Sequence, residues 1–451
     1  MIPNIVFFAR DYQAVLFPKL LSNKFTNIYV TLTISEKKLI QKNGFEVAAC
    51  FEEEFDSLKG SDIPDSYLIT SFVADRFFGA LSLDERRTIL SKEIVFWENI
   101  YEKYKPVAVI NEVVAVEIAE VMYIEALKRS IRYFGWMVSP FELRCFYWLN
   151  IPYVSRLDDK VFKELPDNDS MEFATNYFQK FNEHENIKPF YASNLPYRYD
   201  FVIFIKWLVL LSINMIKARF NNRRNKYLQM YYFNIPVFKN KVFNYVNSIL
   251  HSYKKLDEKY EIIFYPLHHE PEASILYMSE YYEDQIGLIR NLAKCLTNNQ
   301  LLVVKEHPEQ PGMLLSGRFR QLRKQLSNVE YLPAEYSTKR IIQLSELIIT
   351  QTSTAGWEAL VLGKPVVVIG QVFYDKYPKI NRFCDFESLK ILIHNKQYQY
   401  PEKDATLKFI AQVWNYCQEG NPYPNSGLYD QENIKRMVHS IEKKLLDNDL
   451  L

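Results

Sequence analysis

His307 has the most informative setting of any polar residue in this chain. It follows the apolar run Leu301-Leu302-Val303-Val304 and the pair Lys305-Glu306, and Pro308 comes next. A short apolar run reads as a buried strand, and proline ends its pairing and fixes the backbone. An imidazole at the carboxyl end of a strand can donate a hydrogen bond to a phosphate oxygen, with Lys305 adding charge nearby. The plainer alternative is that His307 caps a turn. A second run, "LIITQTSTAGWEALVLGKPVVVIG" at 347–370, carries Gln351, Thr352, Ser353, Thr354, Ala355 and Gly356 from a strand into a helix beginning near Trp357. Hydroxyls and unpaired backbone amides at a helix start form an anion site, although serine and threonine are also ordinary helix caps. Glu358, one turn in, suits ribose hydroxyls or simply the helix dipole. Gly363-Lys364-Pro365 closes the helix.

A third group lies in "YPLHHEPEAS" (265–274), with His268, His269, Glu270 and Glu272. Neighbours on an extended chain point to opposite sides and seldom ligate one ion. Contact with a donor sugar is the better expectation for this loop. In the first third of the chain, "VAVINE" brings Glu112 to a strand end, where a carboxylate can serve as general base to a hydroxyl or merely open a helix. Asp75 and Arg76 in "ADRFFGALSLDERR", and Arg144 in "SPFELR", are candidates to engage an anionic acceptor or a donor carboxylate. Asp84 to Arg87 read as helix-surface ion pairs.

These residues need elements to hold them, and the chain supplies two sets. In the first 150 residues, apolar runs at 4–9, 27–33, 46–51 and 107–112 alternate with amphipathic stretches, and 131–138 follows as a further strand. From 261 the alternation resumes at 261–268, 301–308, 329–332, 347–353 and 365–370. Strands spaced by helices predict parallel βαβ units, whose ligands sit beyond the carboxyl ends of the strands. The His307 and Thr352–Gly356 motifs are therefore expected in consecutive loops facing one crevice. The expected divisions are 1–155, an acceptor-side Rossmann-like domain; 156–258, a connecting segment; 259–400, a nucleotide-sugar domain; and 401–451, a helical tail crossing back. With 451 residues, two domains are the natural expectation.

Composition excludes several functions. Fifty-five Lys and Arg stand against 54 Asp and Glu, a net charge of +1 that gives no reason to expect nucleic acid as partner. The five cysteines are scattered without a CxxC pair, which speaks against a disulfide framework and fits a reducing cytoplasm. The first residues lack the pattern of a secretory leader. With only 12 glycines there is neither GxGxxG nor GxxxxGK[ST], so a standard dinucleotide fold or P-loop is not expected. The most apolar window, 201–216, is interrupted by Lys206, Ser212 and Asn214, and Lys217, Arg219, Arg223, Arg224 and Lys226 follow. Such a helix suits the surface of an anionic membrane or a buried place between domains with a solvated basic end.

Two α/β units with a linker and a returning helical tail resemble the GT-B architecture, in which two Rossmann-like domains face each other across a cleft. The motifs "YPLHHEPEAS", "LLVVKEHP" and "ITQTSTAGWEALVLGKPVVVIG" further resemble the capsule polysaccharide biosynthesis family, Kdo-transferase-like enzymes of bacterial surface glycans. The likeness is strong over about 260–375 and loose over 1–150. It implies a CMP-activated 3-deoxy-ulosonic acid as donor, either Kdo or a nonulosonic acid such as a sialic, pseudaminic or legionaminic acid. It places His307, with Pro308, and Ser353-Thr354 at the CMP phosphate, and Glu358 at that turn or the ribose. Glu112 becomes the acidic catalytic candidate and Asp75 a second one, with inverting or retaining chemistry left open. No metal cofactor is implied, and the acceptor would be a glycan or lipid-linked molecule met at the inner face of the membrane. A teichoic-acid-type polymerase using a CDP-polyol shares the histidine-proline loop and is the nearest rival. A non-catalytic component of capsule assembly or export is the alternative of a different kind.

Overall fold

The computed structural model describes residues 2–65, 67, 81–153, 165–183, 201–221, 228, 235–250, 252–279, 281–424 and 427–451. Asp75 and Arg76 lie outside the described residues. The chain divides into two compact units, the first made of 1–155 and 416–451, the second of 156–415. Each is built on its own mainly parallel sheet, the α/β class expected from the alternation of strands and helices.

The first sheet uses β1 (Asn4–Ala9), β2 (Thr26–Thr31), β3 (Ala49–Cys50), β4 (Ala108–Glu112), β5 (Arg132–Val138) and β6 (Arg144–Leu149). The second uses β7 (Glu261–Pro266), β8 (Gln300–Lys305), β9 (Val329–Leu332), β10 (Ser345–Thr350), β11 (Val366–Val368) and β12 (Asn381–Arg382). Near the carboxyl terminus β13 (Gln418–Glu419) returns to the first sheet, whose order is β13-β6-β5-β4-β1-β2-β3. The inner strands are apolar on both faces because helices cover both sides. Ile5, Val6, Phe7 and Phe8 of β1 are fully buried, as are Ile263, Phe264 and Tyr265 of β7.

One edge departs from the parallel expectation. The stretch "SPFELR", where Arg144 was a candidate for an anionic substrate group, is a turn between β5 and β6, which pair antiparallel. Ser139 Oγ accepts from Phe141 N at 3.1 Å and donates to Arg144 O at 2.8 Å, while Leu143 takes a left-handed φ of 61°. That geometry reverses the chain in a few residues, so Arg144 opens a strand.

The second sheet runs β12-β11-β10-β7-β8-β9. Its first strand in sequence, β7, therefore lies between β8 and β10. The connections leave β7 and β10 toward opposite edges, which makes this the switch point where a crevice opens beyond the strand ends. The first sheet has the equivalent point between β1 and β4.

Candidate functional site

At the end of β8 the charged residues turn out to anchor the loop. Lys305 is 4% exposed, and its Nζ donates to Ala334 O at 3.0 Å and Glu306 O at 3.3 Å. Burial draws its pKa down to about 8, opposed by nearby Glu358 and Glu306. The Glu306 carboxylate is buried too, and accepts from Gly312 N at 3.0 Å and Leu314 N at 2.9 Å. Burial raises its pKa to about 7 against those backbone donors. Together they fix the path of 306–314, and so the aim of His307.

His307 Nδ1 accepts from Glu309 N at 3.2 Å. A neutral ring that accepts at one nitrogen carries its proton on the other, so His307 offers Nε2–H. Burial, with Lys305 beside it, lowers its pKa to about 4, and the ring is an uncharged donor at neutral pH.

The β7 loop supplies the matching group. His268 is buried, and its Nε2 accepts from Thr352 N at 3.2 Å, which leaves the proton on Nδ1. Burial and the neighbouring His307 push its pKa down to about 3. Among the described residues neither His268 Nδ1 nor Thr352 Oγ1 finds a hydrogen-bond partner. A buried polar group left unpaired costs about 1–3 kcal/mol, so two of them on residues that are hydrogen-bonded to each other fit a site completed by a polar ligand. The His269 ring meets that of His307 edge to face, 6.0 Å between centroids.

Three glutamines hold this region, and only Gln351 stood in a motif of the sequence, with no role given to it. Gln285 accepts from His268 N at 2.8 Å and donates to His268 O at 3.1 Å and to Glu270 Oε1 at 2.7 Å. Gln310 clasps the backbone of Glu270 in the same two-way manner, at 2.8 and 2.5 Å. Gln351 accepts from the Tyr265 hydroxyl at 2.8 Å and donates to Tyr282 O at 2.6 Å. Glu270 thus serves the loop through Gln285, with burial raising its pKa. Glu272 precedes the short helix Ala273–Leu276 without capping it by its side chain.

The β10 loop corrects one expectation. The amides of the Thr352–Gly356 turn were expected to be unpaired donors, but four of them have acceptors within the protein. Thr352 N donates to His268, Ser353 N to Thr350 Oγ1 at 3.0 Å, Ala355 N to Ser353 Oγ at 3.1 Å and Gly356 N to Ser353 O at 3.2 Å. What the turn can give a ligand is its hydroxyls. Thr354 precedes the seven-residue helix Ala355–Val361 and makes no side-chain cap. Gly356 is required by packing, since a Cβ there would run into the Tyr374 hydroxyl, which donates to Ser353 O at 2.5 Å. Glu358 is buried, its pKa raised to about 7 by burial and held back by Lys305.

The sequence placed the His307 and Thr352 motifs on neighbouring loops; in the sheet they are separated by β7. His268 fills the gap, bonded to Thr352 N and electrostatically coupled to His307. The three motifs therefore form one site. Among the described residues no three metal-ligating side chains converge.

In the first unit, Glu112 ends β4 at that sheet's switch point. Gln13 Nε2 donates to its Oε2 at 3.1 Å and Arg10 Nη2 lies 3.9 Å away, while about a third of its side chain stays exposed (35%). Tyr133 Oη donates to the Glu112 carbonyl at 3.0 Å, which fixes the strand end. Arg10 and Gln13 follow β1 and had no local pattern to mark them. Arg144 donates to Cys417 O at 3.0 Å and has Glu419 Oε1 at 3.9 Å, so it ties β13 to β6.

Comparison with known proteins adds the following. Protein FixF of Sinorhizobium fredii is 23% identical over 156 residues, 34% of this chain and 37% of its own length, so the match spans well under half of that relative. Among solved structures, a KpsC beta Kdo 2,7 transferase of Thermosulfurimonas dismutans is 15% identical with a TM-score of 0.40, over 80% of this chain and 97% of its own. A KpsC beta Kdo 2,4 transferase of the same organism is 14% identical with a TM-score of 0.41, over 74% and 86%. The family model of the capsule polysaccharide biosynthesis protein matches residues 198–378, the stretch that holds β7 to β11 and all three motifs of the site. Through that stretch, less than half of its length, this chain is similar to the capsule polysaccharide biosynthesis proteins.

Proposed function

We propose that this protein is a glycosyltransferase that moves a 3-deoxy-ulosonic acid, Kdo or a nonulosonic acid, from a CMP-activated donor to a bacterial surface glycan or glycolipid. The observation that carries the reading is the set of uncharged donors at the second switch point. His268 Nδ1–H and His307 Nε2–H are each oriented by a backbone N–H on the opposite ring nitrogen, and the buried Thr352 hydroxyl, on the residue whose N–H orients His268, has no hydrogen-bond partner among the described residues. Fixed dipoles of this kind stabilise charge that grows on a departing phosphate without having to reorganise.

In the proposed step the acceptor oxygen attacks the anomeric carbon and the bond from that carbon to the phosphate oxygen breaks. CMP leaves with the bonding pair, received by His268, His307, Thr352 and Ser353. The acceptor's proton passes to Glu112, whose Gln13 contact orients the carboxylate. Asp75 is proposed as a second carboxylate, with Arg76 for an anionic substrate group. CMP is a good leaving group once its phosphate is held, so the step is written without a metal. A lipid-linked acceptor would be met at the inner face of the cytoplasmic membrane.

Release of CMP, measured with CMP-Kdo, a CMP-nonulosonic acid and CDP-glycerol in parallel, tests the reading. Turnover of a CMP-sugar alone is expected. Turnover of CDP-glycerol alone would replace it with the polyol-phosphate reaction, and turnover of none with no CMP binding would favour a non-catalytic role.

A further inference from the structure

The helix Phe201–Asn221 carries apolar residues on its exposed face as well as on its packed one. Ile205, Val209, Ile213 and Ile216 recur at helical spacing on one face, and they are 41%, 55%, 45% and 54% exposed. Its opposite face is the packed one. There Phe204 stacks on Tyr245 with centroids 3.9 Å apart, and Trp207 on Phe238 at 5.8 Å. Those partners belong to the helix Ile235–Leu250, which repeats the pattern. Ile235, Phe243, Val246 and Leu250 share one helix face and are 55%, 63%, 41% and 67% exposed, with exposed Lys239 on the same face. Two helices joined through aromatic stacks thus each present an uncovered apolar stripe.

Charge narrows the choice of occupant. Residues 201–256 hold ten Lys and Arg and not one Asp or Glu, in a chain whose net charge is only +1. Half of those cations, Lys217, Arg219, Arg223, Arg224 and Lys226, fall between or at the ends of the two helices in sequence. A second copy of this chain would bring the same positive charge to the contact. An anionic lipid surface takes both the apolar stripes and the cations. No helix among the described residues is long and apolar enough to cross a membrane, so these would lie along it.

We infer that the helix pair 201–221 and 235–250 is a membrane-seating surface that inserts its outward stripes into the headgroup region of an anionic bilayer. This deepens the lipid-linked-acceptor part of the proposed function and does not depend on the identity of the donor. Lysine at the apolar face keeps its charge at the headgroups while its stem lies among acyl chains.

The test is sedimentation of the full chain with vesicles of equal parts phosphatidylglycerol and phosphatidylcholine, without nucleotide or acceptor, against pure phosphatidylcholine. Binding to the anionic vesicles, weakened by salt, is expected. The triple change Ile205→Ser, Val209→Ser, Ile213→Ser and the separate pair Phe243→Ser, Leu250→Ser should each lower binding about tenfold or more. Arg219→Glu, Arg223→Glu, Arg224→Glu should abolish the preference for anionic lipid. All these positions except Arg219, Arg223 and Arg224 are exposed apolar ones, and circular dichroism checks that each variant is folded. Absence of vesicle binding by the native chain would overturn the inference, as would stripe variants that bind unchanged. A dimer that the stripe variants dissociate, with no vesicle binding, would assign the surface to a second copy. Because nucleotide is absent, none of these outcomes bears on the donor site.

Discussion

The two switch points of this protein are built differently. At the second, between β7 and β10, His268 is buried and His307 half-buried, and each is held by a backbone contact, His268 by Thr352 N and His307 by Glu309 N, with the loops behind them held by Gln285, Gln310 and Glu306. At the first, between β1 and β4, Glu112 is partly exposed and held by side chains, Gln13 and Arg10. Under the proposed function, the contrast suits a fixed phosphate receptor in the second unit and a less constrained carboxylate in the first.

That contrast can be broken from either side. Glu112→Gln keeps the hydrogen-bonding shape but cannot take a proton, and is expected to lower kcat for sugar transfer by about 10²–10⁴ while leaving CMP affinity alone. A parallel fall in affinity, measured by titration calorimetry, would place Glu112 at the nucleotide instead. His307→Ala removes one oriented donor and should lower kcat by about 10²–10³, with CMP affinity falling as well. Equal kcat would mean that the His307 N–H does not meet the leaving group.

Gly356→Ala addresses the packing behind the second site without touching its donors. Its Cβ meets the Tyr374 hydroxyl, so the variant should lose about 1–3 kcal/mol in denaturant unfolding. An unchanged midpoint would show that Tyr374 moves freely and that the Ser353 turn is not rigid.

The smallest effect concerns pH. The folded pKa of His268 and His307 lies below their ordinary value of 6.5, at about 3 and about 4, so the unfolded chain binds more protons between these limits. Stability from these rings is full above about 6.5 and declines as pH falls toward about 4. Glu306 and Glu358, raised to about 7, act in the opposite sense, since their contribution is present below the ordinary carboxylate value of 4.5 and is lost as pH rises through about 7. His268→Gln should therefore flatten the decline on acidification by up to about 1.4 kcal/mol per pH unit. The comparison is the slope of unfolding free energy against pH, and a slope equal to that of the native chain would show the ring to be charged in the fold.

Much of the second site was legible in the sequence because buried parallel strands appear as bare apolar runs, and each run ended in a distinct polar group. "LLVV" before "KEHP" and "LIIT" before "QTSTAG" mark β8 and β10 well. The order of strands was not legible, since pairing is a tertiary property. Placing β7 between β8 and β10 is what turned "YPLHH" from a third, separate motif into the bridge of the site. Nor did sequence disclose the glutamine clamps, because a side-chain amide has no periodicity and Gln285 stands at an ordinary helix start. The internal pairing of the Thr352–Gly356 amides was hidden for a similar reason: Thr350 Oγ1 and Ser353 Oγ reach backbone donors only in the folded turn. At the first switch point, Glu112 ended a recognisable strand, whereas Arg10 and Gln13 are far from it in sequence.

The most direct test is calorimetric titration of CMP into the native protein, Glu112→Gln and His307→Ala. Equal affinity is expected for the first two and affinity about 10- to 100-fold weaker for His307→Ala, the value of a hydrogen bond to a charged group. Equal affinity in all three, or no CMP binding by the native protein, would contradict the proposed nucleotide site.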